Sequence, residues 1–178
     1  EGTPTQRSLA WNDRGGDATL SADGRLVLFT SRGTRAETLA LLRETSGAPP
    51  QILGDGYGAD LSRDGRWALV LSPDEKTLNI VPTGAGAPRS VSLPDGFDVE
   101  AARWLGANRA LSIARTSADT DWRLYSTDLG GSGTAPLSEP GIDPDYLEVS
   151  PDERWAATLD TMERPVLHPL AGGKPVLL

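Results

Sequence analysis

The sequence predicts an all-β fold of repeated antiparallel sheets, and three observations carry this prediction. Four stretches resemble one another: LSADGRLVLF, LSRDGRWALV, WLGANRALSI and VSPDERWAAT. They recur about every 43 residues, a period that suits sheet-based repeats, and the arginine after each turn marks it (Arg25, Arg66, Arg109 and Arg154). Proline and glycine, 14 and 20 of 178 residues, interrupt the apolar runs so often that helices of ordinary length do not fit.

The first repeat divides into four strand-like segments. DATLS at 17–21 is a short strand, and ADG at 22–24 is a turn, since aspartate bonds to its own backbone and glycine tolerates positive φ. RLVLFTS at 25–31 is rich in β-branched and aromatic residues, which favour a second strand. ETLALLRE at 37–44 and QIL at 51–53 complete an antiparallel meander, although TLALLRE on its own is also compatible with a helix.

The other three repeats contain the same four segments in the same order. The second repeat holds GADLS, RWALVLS, TLNIVPT and RSVSL. The third holds VEAARWL, RALSIAR, DWRLYST and APLS, and the fourth holds YLEVS, RWAATLD, RPVLHPL and KPVLL. Turn residues separate each short strand from the next, which is typical of antiparallel hairpins.

The second strand of each repeat carries apolar residues that predict burial on both faces. In RLVLF, Leu26 and Leu28 point to one side, and Val27 and Phe29 point to the other. A sheet covered on one side alternates apolar with polar residues, so burial of both sides requires a neighbour on each face. Neighbouring blades supply that cover in a β-propeller. We expect one propeller domain over residues 1–178, with four blades at approximately 17–56, 57–97, 98–143 and 144–178.

Composition and charge argue against several classes of function. The formal net charge is −8 and the basic residues are dispersed, which argues against nucleic-acid binding. The chain has no cysteine, so disulfides and thiolate metal sites are excluded, whereas periplasmic, other extracytoplasmic and cytoplasmic locations all stay open. No apolar run approaches the ~18 residues that cross a membrane, so direct membrane insertion is not expected.

Three of the repeats carry a family resemblance. LSADGRLVLFTS, LSRDGRWALVLS and VSPDERWAATLD resemble the S-P-D-G-[KR]-x-h-h-[AF] repeat of TolB-like bacterial β-propellers, a WD-repeat-like family. From Arg7 to Leu178 the chain is also similar to the propeller region of bacterial serine/threonine-kinase-like and transcriptional-regulator-like signalling proteins. Two turns depart from the pattern: GANR at 106–109 replaces the Asp-Gly turn, and Glu153 replaces a glycine.

The resemblance implies a propeller of more blades than this sequence holds, because members of the family usually have six or more. Three arrangements accommodate the difference. The chain is part of a larger propeller in a longer signalling protein, which we favour, or it is a small four-bladed ring, or two chains close one ring together. QRSLAW at residues 6–11 is the candidate for a strand that closes the ring.

No catalytic or cofactor-binding constellation is recognisable in the sequence. GGSGT at 130–134 departs from the G-x-S-x-G nucleophile motif and is predicted to be a loop. GDGYGAD at 54–60 does not open a helix and is predicted to carry the chain to the next blade. The single histidine, His168, lacks partners for a metal site or general base, so we expect a solvent-touching strand residue. We therefore expect a non-enzymatic protein without cofactor or metal.

Tryptophans recur beside the turn arginine. Trp67 and Trp155 occupy this position in the second and fourth repeats, and one interpretation is an aromatic platform for a ligand. Packing between blades is the interpretation that we favour, and we extend it to Trp11 and Trp104.

Acidic and aromatic residues mark the start of the first strand in successive repeats, where a propeller opens its central channel. The aspartates at these positions are Asp17, Asp60, Asp98 and Asp145. They would give the rim a negative potential that favours a cationic partner, unless they are ordinary solvated residues. Aromatic residues, which anchor interfaces, lie beside them at Tyr57, Phe97 and Tyr146. The predicted binding residues are Tyr57, Asp98, Asp145 and Tyr146.

We expect a non-catalytic sensor or protein-interaction module of a bacterial signalling protein, with a protein or peptide as its partner. Two alternatives stay open: the substrate-gating propeller of a prolyl-oligopeptidase-like peptidase, and a TolB-like periplasmic scaffold. If four blades do not close alone, we expect the module to oligomerise.

Overall fold

The computed structural model describes residues 15–32 and 37–178. They form four antiparallel sheets of four strands each, arranged as a four-bladed β-propeller with no helix among the described residues. This part of the chain therefore holds no helix that is long and apolar enough to span a membrane. The predicted fold class is confirmed.

Each sheet is one blade and uses four consecutive strands in chain order. Blade 1 consists of β1 (Gly15–Leu20), β2 (Leu26–Arg32), β3 (Thr38–Glu44) and β4 (Gln51–Asp55). Blade 2 consists of β5 (Tyr57–Leu61), β6 (Trp67–Leu71), β7 (Thr77–Pro82) and β8 (Arg89–Ser92). Blade 3 consists of β9 (Phe97–Leu105), β10 (Arg109–Thr116), β11 (Arg123–Asp128) and β12 (Gly133–Pro136). Blade 4 consists of β13 (Ile142–Val149), β14 (Trp155–Asp160), β15 (Pro165–Pro169) and β16 (Val176–Leu177).

The observed strands agree with the predicted segments in type and differ from them at their ends. Residues 38–44, which are also compatible with a helix in isolation, form strand β3 because β2 and β4 pair with it on either side. The predicted loop at 130–134 is a turn whose last two residues open β12. The predicted closing strand at 6–11 lies outside the described residues.

The S-x-D part of the repeat builds a hydrogen-bonded turn that we call the Ser–Asp turn. In blade 1 the Ser21 hydroxyl donates to Asp23 Oδ1 at 2.7 Å and accepts from the Leu26 N–H at 2.9 Å. The same Asp23 oxygen accepts from the Arg25 N–H at 3.0 Å. The arrangement recurs at Ser62 and Asp64, at Ser72 and Asp74, and at Ser150 and Asp152. The turn at Ser72 joins β6 to β7, so the motif serves hairpins outside the predicted register as well.

The serine hydroxyl and the backbone N–H that follows hold the pKa of each of these aspartates below its usual value. The carboxylate is therefore ionised at neutral pH and accepts both bonds at once. Because a depressed carboxyl pKa contributes its full stabilisation above the unfolded value, this contribution decreases as the pH falls below about 3.8 and is lost below the pKa of the folded state.

Each Ser–Asp turn holds the residue after the aspartate in the left-handed region. Gly24 and Gly65 have φ of 70° and 67° there, and Glu75 and Glu153 have φ of 59° and 56°. Glycine adopts this conformation without strain, whereas a side chain crowds the following carbonyl. The two glutamates are therefore the strained members of a set of four similar turns.

The hydrophobic core lies between blades. One cluster joins blades 1 and 2, with Leu28 and Val70 at its centre. A second joins blades 2 and 3 around Leu78 and Ala110, and a third joins blades 3 and 4 around residues that include Ile113. The second strands β6 and β10 are buried on both faces, as the sequence predicts, whereas β14 has one buried face and one half-buried face. Among the described residues, none of these clusters joins blade 4 to blade 1.

The tryptophans divide between the interfaces and more open positions. Trp104 is buried in the cluster between blades 2 and 3, and Trp67 packs against that cluster, which confirms the packing interpretation for both. Trp155 is half-buried and belongs to none of the three clusters. Trp11 lies outside the described residues.

We predict that Glu153→Gly raises the free energy of unfolding by about 0.5–1 kcal/mol, because glycine relieves the left-handed strain at this turn. Gly65→Glu, the reverse change in a similar turn, is expected to lower it by about 1 kcal/mol. A Cβ at Gly65 would meet only ordinary contacts, to Ser21 at 3.8 Å and Leu26 at 3.9 Å, so the Cβ itself adds no clash. Urea denaturation checks both variants. A loss of stability in Glu153→Gly would contradict the strain.

Candidate functional site

The inner strands of all four blades surround a central cavity of about 610 Å³. Its walls include Thr19 of β1, Ala59 of β5, Glu100 of β9 and Asp145 of β13. Polar atoms form most of the lining, and the cavity opens to solvent. The cavity is therefore the position at which a single ligand can contact every blade.

A β-bulge interrupts the inner strand of every blade. The register shifts leave Asp17 of β1, Ala59 of β5, Glu100 of β9 and residues 144–146 of β13 without a partner on the neighbouring strand. Bulges of this kind bend a strand and redirect its side chains, and they are common beside binding sites. Ala59, Glu100 and Asp145 are bulged residues that also line the cavity.

Asp60 ties three blades together beside the cavity. Its carboxylate accepts from the Trp104 N–H at 2.8 Å, from the Leu61 N–H at 2.8 Å and from the Thr19 hydroxyl at 3.3 Å. Burial raises the pKa of Asp60, and the hydrogen bond from Trp104 and the positive charge of Arg103 oppose that shift. Asp60 is therefore a structural acceptor in blade 2 and not a free charge on the rim.

Arg103 makes the complementary link from blade 3. Its Nη1 atom donates to the carbonyl oxygens of Ala59 at 3.2 Å and Ala102 at 3.1 Å. Its Nη2 atom donates to Glu148 Oε1 of blade 4 at 3.3 Å. The guanidinium thus spans blades 2, 3 and 4 and satisfies carbonyl oxygens that the inner strands present.

A group of carboxylates lies on one side of the cavity where blade 2 meets blade 3. Burial, then the charges of Asp98 and Glu100, raise the pKa of Glu75, which lines the cavity. Asp98 also pairs with Arg115, whose Nη2 lies 2.6 Å from Asp98 Oδ2. The Arg115 guanidinium also lies over the Trp122 ring, with its central carbon 4.4 Å from the ring centre, in a cation–π contact.

The four predicted binding residues have different surroundings. Tyr57 lines the cavity and is half-buried against the cluster between blades 2 and 3, and Asp145 lines the cavity with an exposed side chain. Asp98 is not among the residues that line the cavity and forms an ion pair with Arg115. Tyr146 has a side chain that is 45% exposed and does not form part of the cavity wall.

Sequence reasoning missed Glu75, Glu100 and Arg103 as cavity residues. Glu75 lies in a hairpin between β6 and β7. The sequence feature that could have revealed this hairpin is the second S-x-D motif of blade 2, at Ser72 and Asp74. Glu100 reaches the cavity through a bulge whose register depends on pairing with β10, so no local pattern reveals it. Phe97, by contrast, is predicted for the rim and instead packs edge-on against Tyr125 at 4.7 Å in the core.

The expectation for His168 is wrong. The side chain is 8% exposed and lies in blade 4, where Nε2 is 2.9 Å from the Thr158 hydroxyl oxygen. Burial lowers the pKa of His168. Register explains the error, since His168 pairs with Ala156 on the face that turns towards blade 3. No group of three or more metal-binding side chains occurs in the part of the chain that the structure describes.

No family model matches the sequence, and no curated protein matches it. Solved structures do resemble it. A protein assigned as TolB from Agrobacterium tumefaciens is 14% identical with a TM-score of 0.75, over 93% of this chain and 64% of that one. A chain of a nidogen/laminin complex is 12% identical with a TM-score of 0.66, over 90% and 63%. The β-propeller domain of the trilobed protease from Pyrococcus furiosus, described as having an open velcro topology, is 11% identical with a TM-score of 0.61, over 92% and 57%.

These likenesses establish the β-propeller fold and agree with a TolB-like arrangement of blades. The chain spans less than two thirds of the length of each of the three structures. At such low identity the shared property is the architecture, which serves many unrelated functions.

We predict that Asp60→Leu lowers the free energy of unfolding by about 1–3 kcal/mol, because it leaves the Trp104 and Leu61 N–H groups without their acceptor. Asp60→Asn keeps one amide oxygen as an acceptor and is expected to lose less. Urea denaturation at neutral pH compares the two. Equal stability of Asp60→Leu and the parent chain would contradict the structural role of this carboxylate.

We predict that the free energy of unfolding falls as the pH drops below about 6.5, the ordinary pKa of histidine. The folded state disfavours the charged imidazole, so the unfolded chain takes up the proton first. His168 contributes at most about 1.4 kcal/mol per pH unit to this slope. His168 is the one histidine of the chain, so His168→Gln is expected to reduce the slope between pH 7 and about 5.5 by this contribution. An unchanged slope in the variant would contradict the assignment.

Proposed function

We propose that this chain is a non-catalytic β-propeller module that binds a protein or peptide partner at its central cavity. A cationic group of that partner, a lysine or arginine side chain or an amino terminus, enters the cavity between the bulged strands. The observation that supports the proposal best is that three inner strands place an unpaired residue (Ala59, Glu100 and Asp145) in the lining of one cavity that all four blades share.

The charge of the lining favours a cation over an anion. Glu75, Glu100 and Asp145 line the cavity together with Arg32 and Arg103. Arg103 is engaged by two carbonyl oxygens and by Glu148, so its charge is largely compensated within the fold. The charges of Asp98, which is itself paired with Arg115, and of Glu100 raise the pKa of Glu75, so its neighbours oppose the ionised form of Glu75. A cation placed there would relieve that repulsion.

The repulsion between Glu75 and its neighbouring carboxylates makes the affinity for a cation depend on pH. A bound cation stabilises the ionised form of Glu75, whose pKa is raised in the free protein. Protonation of Glu75 therefore competes with the cation, and affinity decreases as the pH falls towards the carboxyl range. The effect has the opposite sign for an anionic ligand.

A role in a bacterial signalling protein is the second part of the proposal. The support is the resemblance of the repeats, such as LSRDGRWALVLS, to propeller regions of such proteins. The coding sequence that flanks this chain tests it: an adjoining kinase or winged-helix segment is expected. An adjoining G-x-S-x-G hydrolase region would instead favour the substrate-gating alternative.

We predict that tetralysine peptide binds the protein and that Glu75→Gln combined with Asp145→Asn weakens this binding by about 3- to 10-fold, since two carboxylates at the cavity lose their charge. Isothermal titration calorimetry in low salt measures the affinity. Asp121→Asn combined with Glu139→Gln is the matched control, because it removes the same charge from exposed positions outside the cavity lining.

The cavity assignment predicts a difference between the two double variants, and the charge assignment predicts weaker binding at pH 5 than at pH 7. Equal weakening in the control would show that only net charge attracts the peptide. Binding that strengthens on acidification, or a preference for tetraglutamate, would contradict the proposal.

A further inference from the structure

The outer edge of blade 2 has an open strand. Strand β8 pairs with β7 on one side and with no strand on the other within the described part of the chain. The Leu93 N–H donates to the Lys76 carbonyl at 2.9 Å. This bond shows which residues of β8 direct their N–H and C=O towards β7 and which direct them away. In an antiparallel ladder every second residue directs its N–H and C=O away from the partner strand. Ser90 and Ser92 are therefore the residues of β8 whose backbone groups point outward.

The other outer strands offer a poorer edge. Strand β12 has Pro136 at an outward-directed position, and proline lacks the N–H that a further strand requires. Strand β4 is interrupted by a register shift opposite Ala40 and Leu41, and β16 is only two residues long. Natural edge strands are commonly protected by such features, and β8 has none of them between Arg89 and Ser92.

A groove runs beside β8 towards blade 3. Its volume is about 440 Å³, and its far wall is the hairpin between β11 and β12, including Gly130, Gly131 and Thr134. Val91 lines the groove and packs against the cluster between blades 2 and 3, so this face of β8 looks towards the hairpin. A strand added to β8 would place alternate side chains over the same groove, because side chains alternate between the faces of a sheet.

Arg89 supplies the charge of the groove. Its side chain is exposed, and its contact in the described part of the chain is a 3.5 Å hydrogen bond from Nη2 to Asn108 Oδ1. The nearest carboxylate on the hairpin, Asp128, accepts instead from Asn108 at 3.1 Å and from the Gly130 N–H at 2.6 Å. Other N–H groups of the guanidinium are therefore left to bind a ligand, and their arrangement suits a carboxylate in bidentate geometry.

We propose that β8 and this groove bind an extended peptide segment of a partner protein, which adds to blade 2 as a fifth strand and presents an acidic side chain to Arg89. The backbone of Ser90 and Ser92 supplies the main-chain hydrogen bonds, and the groove takes the alternate side chains. This site lies on the outer surface of the propeller and takes the opposite charge to the central cavity.

The probe is the acetylated and amidated peptide Thr-Val-Glu-Val-Thr, titrated into the full chain labelled with ¹⁵N. We expect saturable shifts of the Ser90 and Ser92 amide signals. Ser92→Pro removes an outward N–H and no bond to β7, so the melting temperature is retained while affinity falls by at least about 10-fold. Arg89→Gln is expected to weaken binding by about 3- to 10-fold, and the matched control Arg154→Gln leaves it unchanged.

Two further peptides make the result specific. Replacing the glutamate of the probe with lysine is expected to weaken binding, and methylating its alternate backbone nitrogens is expected to abolish it. Absence of shifts at Ser90 and Ser92 up to about 1 mM peptide would overturn the proposal. So would shifts there that depend on protein concentration without peptide, because they would assign the edge to a second copy of the chain. Neither result bears on the binding of tetralysine at the cavity.

Discussion

Burial of the middle strands on both faces is the constraint on which this structure depends. A blade alone would expose both apolar faces of β6 or β10 to water, and burial is worth about 25 cal/mol per Å². Each interface between consecutive blades therefore carries a hydrophobic cluster, and the blades are stable as a series of neighbours. The Ser–Asp turns set the geometry of the connection between the inner strand and the second strand of a blade. The apolar residues of each such hairpin therefore reach the two faces of the sheet in a defined register.

The architecture can be predicted well from the sequence because the patterns that specify strands and turns are local. Apolar residues on both faces of RLVLF and turn glycines are visible within a few residues, and each specifies a strand or turn. The same local signals then recur about every 43 residues. The site is harder to predict because it depends on register between strands. Glu100 faces the cavity only because one residue of β9 is unpaired opposite β10, and His168 is buried only because its face of β15 turns towards blade 3. Neither property can be recognised from the neighbouring sequence.

The polar residues around the axis separate into two roles. Asp60 and Arg103 satisfy backbone groups of neighbouring blades and thereby hold the inner strands together. Glu75 and Asp145 form fewer bonds within the fold and keep their polar atoms at the cavity. Buried charges are costly unless they are paired, so the first role stabilises the scaffold. The second role leaves charge available to a ligand. The positions of the aspartates in the sequence do not distinguish these two roles.

Each blade is completed by its own four consecutive strands, and no described strand is exchanged between sheets. A tandem duplication or deletion of one period in the gene would therefore add or remove a whole sheet and leave the remaining sheets intact. The new neighbours would need to pack their apolar faces against each other. Had a strand been shared across a junction, the same event would have left a sheet with a missing member. Propellers of different blade number are thus accessible from this design through single recombination events.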